Sequence, residues 1–148
     1  MKTPRRRSWL VAPMSHPERI GELARSGADA LVLDLVELVP EERKHAARPE
    51  VARAIATARS AGAVPYVTID PELAYADLHA AVWPGLEGIV VARAESAAQM
   101  REIDELVTEL EAKRGLAAGS VAIVAALETA RGNQDGYEIA SASPRVSA

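Results

Sequence analysis

The feature that most constrains the fold is an uninterrupted apolar run, residues 121–127 (Val-Ala-Ile-Val-Ala-Ala-Leu), which ends abruptly at Glu128. A short run of this kind with β-branched residues predicts a strand that is buried on both faces, as in a parallel sheet. In parallel α/β proteins, ligands bind where the carboxyl ends of the strands meet. The run therefore predicts that Glu128 lies at the functional edge of a sheet, where an unused and unpaired carboxylate would be costly.

Four further apolar runs alternate with segments of helical periodicity. Strands are predicted at residues 8–12, 30–35, 64–69, 88–91 and 121–127. A Ser15–Glu18 capping box predicts the first helix start, and a single helix is predicted from Pro40 to a stop at Gly62. Further helices are predicted near residues 75–82 and 97–114, and a second capping box, Ser96–Gln99, predicts the start of the latter. A polar loop at 132–136 and a short helix at 137–142 follow.

This βα repetition predicts an α/β fold with about five parallel βα units, in a single domain over residues 1–148. A complete (β/α)8 barrel needs ~200 residues or more. Two architectures therefore fit the pattern: an open parallel sheet, or the first five-eighths of a TIM barrel.

Composition narrows the class of protein. The net charge of −4 gives no basic excess of the kind that nucleic-acid-binding proteins carry. The absence of cysteine excludes disulfides, thiolate metal sites and a cysteine nucleophile. No apolar run approaches the ~20 residues of a membrane span. We therefore expect a cytoplasmic protein without a nucleic-acid or membrane partner.

Polar side chains follow the predicted strand ends, which parallel pairing brings to one edge of the sheet. They are Asp34, Glu37, Thr68, Asp70, Arg93 and Glu128. Mg²⁺ is typically held by one or two carboxylates, with waters and substrate oxygens completing its shell. A metal so placed can polarise a substrate carbonyl. Each carboxylate alone is equally typical of a solvated loop residue or a helix cap, and Asp70, which precedes a proline, has the position of a cap.

The motifs resemble, in order along the chain, the HpcH/HpaI aldolase family in its citrate lyase β-subunit-like branch. Residues 33–40, followed by Lys44, Ala47 and Arg48, are similar to the signature L-D-L-E-D-A-V-P-P-x-x-K-x-x-A-R. Residues 127–132, Leu-Glu-Thr-Ala-Arg-Gly, resemble the family's I-E-T-A-x-G segment. Residues 7–13 and 84–91 are similar to its first-strand and fourth-strand regions, so the resemblance covers nearly the whole chain.

The resemblance implies a TIM barrel, incomplete at its C-terminus, in a homo-oligomer (a trimer in the family) or in association with a full-length paralogue. It implies an Mg²⁺-dependent carbon–carbon lyase of the citryl-CoA/malyl-CoA type. Such an enzyme cleaves or condenses a hydroxyacyl-CoA or hydroxy-oxo acid through a metal-stabilised enolate. Glu128 is then the metal ligand. The interpretation makes Glu128, Asp34 and Glu37 the candidate catalytic carboxylates, and Arg93, Thr68 and Arg7 the candidate substrate contacts.

The sequence departs from the family's pattern at this same edge. Thr68 stands where a V-R-I-N segment carries arginine, and a threonine cannot make the bidentate contact of a guanidinium. Arg93 replaces the lysine of a Pro-Lys pair. A second metal ligand, an aspartate after the sixth strand, would lie beyond residue 148. The alternative interpretation is therefore a catalytically inactive, truncated paralogue that acts as an interaction partner, or a gene remnant.

Overall fold

The computed structural model describes residues 6–147 and contains one sheet of parallel strands in sequence order. The strands are β1 (Trp9–Pro13), β2 (Ala30–Asp34), β3 (Pro65–Ile69), β4 (Gly88–Val91) and β5 (Ala122–Ala125). Each strand pairs with the next strand in the chain. A doubly wound sheet reverses its strand order at a switch point, whereas a (β/α)8 barrel keeps it. The predicted partial TIM barrel is therefore confirmed over an open parallel sheet of the doubly wound kind.

Helices connect the strands and pack on one face of the sheet. They are α1 (Ile20–Leu23), α2 (Glu41–Ala47), α3 (Val51–Ser60), α4 (Ala74–Ala81), α5 (Ala97–Lys113), α6 (Ala130–Gln134) and α7 (Gly136–Ala140). Short 3₁₀ turns at Pro17–Arg19, Arg48–Glu50 and Pro71–Leu73 precede α1, α3 and α4. Within residues 6–147, no helix combines the length and the apolar character that crossing a bilayer requires.

The main hydrophobic core lies between the sheet and these helices. Successive strand residues point to opposite faces, so Leu31, Leu33, Val67 and Ile89 pack against the helix layer and are fully buried. Alternate residues face the other way, where Ala30, Val32 and Tyr66 form a smaller cluster. This second face is the one that would line the interior of a complete barrel.

The helix predicted from Pro40 to Gly62 is broken in two. Its first part, α2, ends at Ala47, a 3₁₀ turn follows, and α3 begins at Val51. The break occurs at Pro49, because proline lacks an N–H donor and its ring clashes with the preceding helical turn. The apolar face predicted for one helix is therefore shared by two shorter ones.

The two predicted capping boxes had different outcomes. The Ser15–Glu18 prediction is wrong: His16 is the N-cap, without a side-chain hydrogen bond, and the Ser15 hydroxyl donates to the carbonyl of Leu38 at 3.4 Å. The Ser96–Gln99 prediction is confirmed for Ser96, whose hydroxyl accepts from the backbone N–H of Gln99 at 3.2 Å at the start of α5. The Gln99 side chain accepts from the N–H of Glu95 at 3.1 Å instead of that of Ser96.

The polar loop predicted at residues 132–136 is also wrong, because most of it belongs to α6. The Thr129 side chain caps this helix by accepting a hydrogen bond from the Gly132 N–H at 3.0 Å. A Cβ atom at Gly132 would lie only 2.2 Å from the carbonyl oxygen of Ala94. Glycine thus lets α6 approach the loop after β4 closely.

The strand that was predicted to be buried on both faces is partly open on one. In β5, Ile123 is buried in the main core, whereas Ala122 and Val124, on the open face, are half-buried. On β1, at the other edge of the sheet, the open face exposes 37% of Trp9 and 47% of Val11. Beyond β5, the Ile123 N–H donates to the Arg145 carbonyl and the Ser147 N–H donates to the Ile123 carbonyl, both at 2.9 Å. Residues 145–147 thus pair with β5 as the start of a sixth parallel strand would.

Candidate active site

A cavity of about 390 Å³ lies on the open face of the sheet and extends to the carboxyl ends of the strands. Apolar side chains form most of its wall, and polar side chains stand among them. The lining residues are Trp9, Val11, Val32, Asp34, Glu37, Leu38, Thr68, Val90, Ala92, Val124, Ala126 and Glu128. An apolar pocket with a few convergent polar groups is the usual form of a small-molecule site.

Arg93 connects three of the four predicted carboxylates. Its Nη1 donates to Glu37 Oε1 at 2.6 Å and its Nη2 donates to Asp70 Oδ2 at 3.0 Å. Its backbone N–H donates to Glu128 Oε2 at 2.8 Å. The structure therefore brings together Arg93, Glu37, Asp70 and Glu128 at one edge of the sheet.

The backbone of Arg93 has a left-handed conformation, with a φ of 47°. Among residues 6–147 it is the one non-glycine residue with a positive φ. This conformation costs a side-chain-bearing residue ~1–2 kcal/mol. The two ion pairs of the guanidinium and the hydrogen bond to Glu128 hold the residue there. Strained residues of this kind concentrate at functional sites.

Glu128 follows β5 by three residues and is exposed at the cavity rim. The next residue, Thr129, caps α6, so Glu128 lies between a strand and a helix that is fixed by its cap. Its Oε2 is held by the backbone of Arg93, while Oε1 accepts no hydrogen bond from any of the described residues. Glu128 therefore presents a carboxylate oxygen that is available to a ligand.

Asp34 has a different environment from the other predicted catalytic carboxylates. It lies at the end of β2 in register with Thr68 and is only 2% exposed. Its Oδ1 accepts from the Val36 N–H at 3.3 Å and its Oδ2 accepts from the Leu38 N–H at 2.6 Å. Asp34 therefore organises the loop that carries Glu37 to the cavity.

Arg7 does not reach the cavity. It precedes β1 and thus lies at the amino-terminal edge of the parallel sheet, opposite the edge that carries Glu128. Its backbone N–H donates to Asp29 Oδ2 at 2.7 Å, and its side chain is 87% exposed. The structure thus separates Arg7 from Arg93 and Thr68, with which it was grouped as a candidate substrate contact.

Two functional candidates were missed in the sequence. Asp77, on α4, is 2% exposed and accepts a hydrogen bond from Arg48 Nε at 2.8 Å. Its other oxygen accepts from the backbone N–H of Asp70 at 2.9 Å. Arg48 belongs to the motif quoted for the family. The sequence gives one indication that Asp77 is buried: it directly precedes the apolar Leu78, which the structure shows to be fully buried.

The donors present fit one part of a magnesium site. The residues that the structure describes include no group of three or more histidine, cysteine, aspartate or glutamate side chains arranged to hold a metal ion. Mg²⁺, however, commonly takes one or two protein carboxylates and completes its shell with waters and substrate oxygens. Glu128 offers one such carboxylate. The ion pairs with Glu37 and Asp70 compensate the charge of the nearby Arg93 guanidinium.

Comparison with known proteins places these features in a family. A sequence profile described as HpcH/HpaI aldolase/citrate lyase matches residues 7–148. The citrate lyase β subunit of Leuconostoc mesenteroides subsp. cremoris is 31% identical over 144 residues, which cover 95% of this chain and 48% of that protein. The chain spans about half the length of the curated relatives it matches.

Solved structures agree with the sequence comparison. A citrate lyase β subunit from M. tuberculosis, complexed with oxaloacetate and magnesium, superposes with a TM-score of 0.64 at 31% identity. The match covers 92% of this chain and 53% of that chain. The protein CitE from M. tuberculosis, in complex with magnesium, acetoacetate and coenzyme A, gives a TM-score of 0.64 at 30% identity, covering 92% of this chain and 45% of that one. The chain therefore belongs to the HpcH/HpaI aldolase/citrate lyase family.

Proposed function

We propose that this chain forms the magnesium- and carboxylate-binding edge of a carbon–carbon lyase that acts on a hydroxyacyl-CoA or hydroxy-oxo acid. The observation that carries the proposal is Glu128, a carboxylate at the rim of an apolar cavity with one oxygen oriented by Arg93. The oxaloacetate, acetoacetate, coenzyme A and magnesium bound to the M. tuberculosis proteins support the ligand classes.

In this proposal, Glu128 holds the metal and Arg93 binds a substrate carboxylate. A bound Mg²⁺ supplies Lewis-acid polarisation of a substrate carbonyl. The Arg93 guanidinium is 41% exposed and offers the planar N–H pair that a carboxylate accepts from arginine. It thereby takes over the role that Thr68, on the cavity wall, is too short to perform.

Glu37 is the group that a substrate carboxylate would replace on Arg93. Its side chain is 61% exposed, so the ion pair is weak and Glu37 can move into water at little cost. The Asp70 side chain is 11% exposed and stays in place. Released from Arg93, Glu37 stands at the cavity rim as a candidate general base, while Asp34 keeps its loop in position.

A second candidate function is association with another subunit, without catalysis by this chain itself. The exposed Trp9 and Val11 favour it, because both belong to the sheet face that a complete barrel would cover. Apolar surface of this kind marks interaction sites. The partner would be a second copy of this chain or a full-length paralogue. Light scattering of the purified chain tests the self-association that this candidate requires when the partner is a second copy: a monodisperse monomer would contradict it.

Titration calorimetry with Mg²⁺ tests the first candidate. We expect the parent chain to bind Mg²⁺ at millimolar concentrations, with tighter binding when oxaloacetate is present. Glu128→Gln should abolish the binding heat. The matched control is Glu138→Gln, an exposed glutamate on α7. It should leave the heat unchanged. Equal Mg²⁺ binding by the parent and Glu128→Gln would contradict the assignment, as would no binding by the parent.

A further inference from the structure

A continuous series of hydrogen bonds links the helix layer to Glu128. Arg48 Nε donates to Asp77 at 2.8 Å, and the other oxygen of Asp77 accepts from the Asp70 backbone at 2.9 Å. The Asp70 side chain accepts from Arg93 Nη2 at 3.0 Å, and the Arg93 backbone donates to Glu128 at 2.8 Å. The series thus runs from the turn after α2, through α4, to the ends of β3, β4 and β5.

We propose that Asp77, held by Arg48, is a positioning residue that sets the orientation of the Glu128 carboxylate. It acts through Asp70 and Arg93 and touches neither metal nor substrate. The consequence for magnesium rests on the proposed function, whereas the consequence for the geometry of Glu128 does not.

The ion pair between Arg48 and Asp77 is largely buried. Asp77 is 2% exposed, and the Arg48 side chain is 20% exposed. A buried ion pair is weak evidence for a contribution to stability, since well-packed apolar residues of similar volume often serve equally well. What the pair provides is a fixed position for Asp77, because a charge-assisted hydrogen bond is short and strong. One Asp77 oxygen is fixed by the guanidinium, so the other has a defined place for the Asp70 N–H.

Asp70 transmits this constraint because three hydrogen bonds fix it. Its N–H donates to Asp77, its Oδ1 accepts from the Glu72 N–H at 3.0 Å, and its Oδ2 accepts from Arg93. The residue is 8% exposed at the end of β3. Its carboxylate is therefore a fixed anchor for the guanidinium, in contrast to the exposed Glu37.

Arg93 depends on that anchor because its backbone conformation is locally unfavourable. A residue other than glycine at a φ of 47° needs surrounding contacts to keep it there. Without a fixed Asp70, Arg93 can relax toward an ordinary negative φ, which turns its N–H away from Glu128. The expected effect of losing Asp77 is thus a reoriented Glu128, not merely a less stable chain.

A second buried ion pair provides a matched control. Arg145 Nη2 and Glu111 Oε2 lie 2.7 Å apart, with side chains that are 8% and 1% exposed. This pair joins residues 145–147 to α5, and in the described part of the chain neither partner hydrogen-bonds to Arg93 or Glu128. Glu111→Gln therefore perturbs a comparably buried ion pair without perturbing the proposed series.

The test combines the backbone amide resonance of Arg93 in a ¹H–¹⁵N spectrum with Mg²⁺ calorimetry. Glu128→Gln defines the upfield shift of the Arg93 amide proton when its charged acceptor is lost. We expect Asp77→Asn to shift this resonance in the same direction and to weaken Mg²⁺ binding about tenfold or more, as loss of a partner behind a metal ligand commonly does. Glu111→Gln should change neither quantity.

An Arg93 resonance that is unchanged in folded Asp77→Asn would overturn the proposal, as would an equal shift in Glu111→Gln. If Asp77→Asn does not fold, Arg48→Gln, which leaves the aspartate in place, is subject to the same criteria. A shifted resonance in a chain whose parent binds no Mg²⁺ would uphold the positioning of Glu128 and refute the proposed function.

Discussion

Replacing Arg145 with methionine tests how the last described residues are held to the rest of the fold. Its guanidinium donates to both oxygens of Glu111, at 2.8 and 2.7 Å, and also to Asp104 and to the Val121 carbonyl. Glu111 is 1% exposed and Arg145 is largely buried. Methionine retains much of the aliphatic bulk of arginine but removes every donor, so the change isolates the charge and the hydrogen bonds.

The expected loss follows from what remains around Glu111. Removing one partner of a buried ion pair typically costs ~3–5 kcal/mol, because the other charge stays buried. Glu111 keeps hydrogen bonds from the backbone N–H groups of Gly119 and Val121, both at 2.9 Å, which offset part of this penalty. We therefore expect the lower end, about 3 kcal/mol. That is a large share of the ~5–15 kcal/mol typical of a folded domain.

Equilibrium urea unfolding, followed by circular dichroism, measures this loss. The control is Lys113→Met, because the Lys113–Glu109 pair on α5 has side chains that are 60% and 57% exposed. Water screens an exposed pair, so Lys113→Met should leave the stability nearly unchanged. In the double variant Arg145→Met with Glu111→Gln, part of the stability should return, because the amide carries no charge and keeps an oxygen that can accept from one of the two backbone N–H groups. A loss below ~1 kcal/mol in Arg145→Met would refute the reasoning, as would a double variant no more stable than Arg145→Met.

Three further predictions concern the same regions. Gly132→Ala would place a Cβ atom 2.2 Å from the Ala94 carbonyl oxygen; we expect a loss of ~1–3 kcal/mol in urea unfolding, and an unchanged midpoint would show that α6 can shift freely. Glu37→Gln removes the exposed competitor for Arg93, so oxaloacetate should bind about two- to fivefold tighter in calorimetry; weaker binding would show that Glu37 contacts the ligand directly. Lowering the pH should reduce the free energy of unfolding, because Glu111 becomes protonated. Burial raises the pKa of this carboxyl, but hydrogen bonds from its arginine partner and two backbone amides outweigh burial and hold the pKa below the ordinary 4.5. The folded state therefore binds this proton less readily than the unfolded state. The stabilisation is complete above pH 4.5 and is lost as the pH falls through the lower folded-state pKa. Glu111→Gln should flatten the acid limb of a stability–pH curve, and an identical limb in both chains would contradict this.

The strand positions were predictable from the sequence because each strand is a short apolar run with a sharp end. The predicted bounds of β4 match the structure, and β2 and β3 differ from it by one residue at one end. The proximity of Asp70, Arg93 and Glu128 was equally predictable, because the carboxyl ends of parallel strands lie at the same edge of a sheet regardless of side-chain conformation. These inferences need only the period of the strand and the direction of pairing.

The parts that escaped prediction depend on three-dimensional contacts. The role of Asp77 depends on its hydrogen bond with the Asp70 N–H, which forms where α4 packs beside the end of β3. The spacing of residues in the sequence does not predict this contact. The left-handed conformation of Arg93 is disfavoured locally and exists because its partners hold it. In β5, an apolar run predicts burial on both faces, but the burial of Val124 depends on what covers the open face of the sheet.

The sequential strand order has a consequence for how the chain folds as it is made. Each strand pairs with the one synthesised immediately before it, so no strand waits for a distant partner. A ribosome adds about 5–20 residues per second, so a βα unit of roughly 30 residues emerges over seconds. Helices form and small chains collapse in microseconds. Each unit therefore has time to dock on its predecessor before the next one appears, and at every stage the growing edge is the template for the following strand.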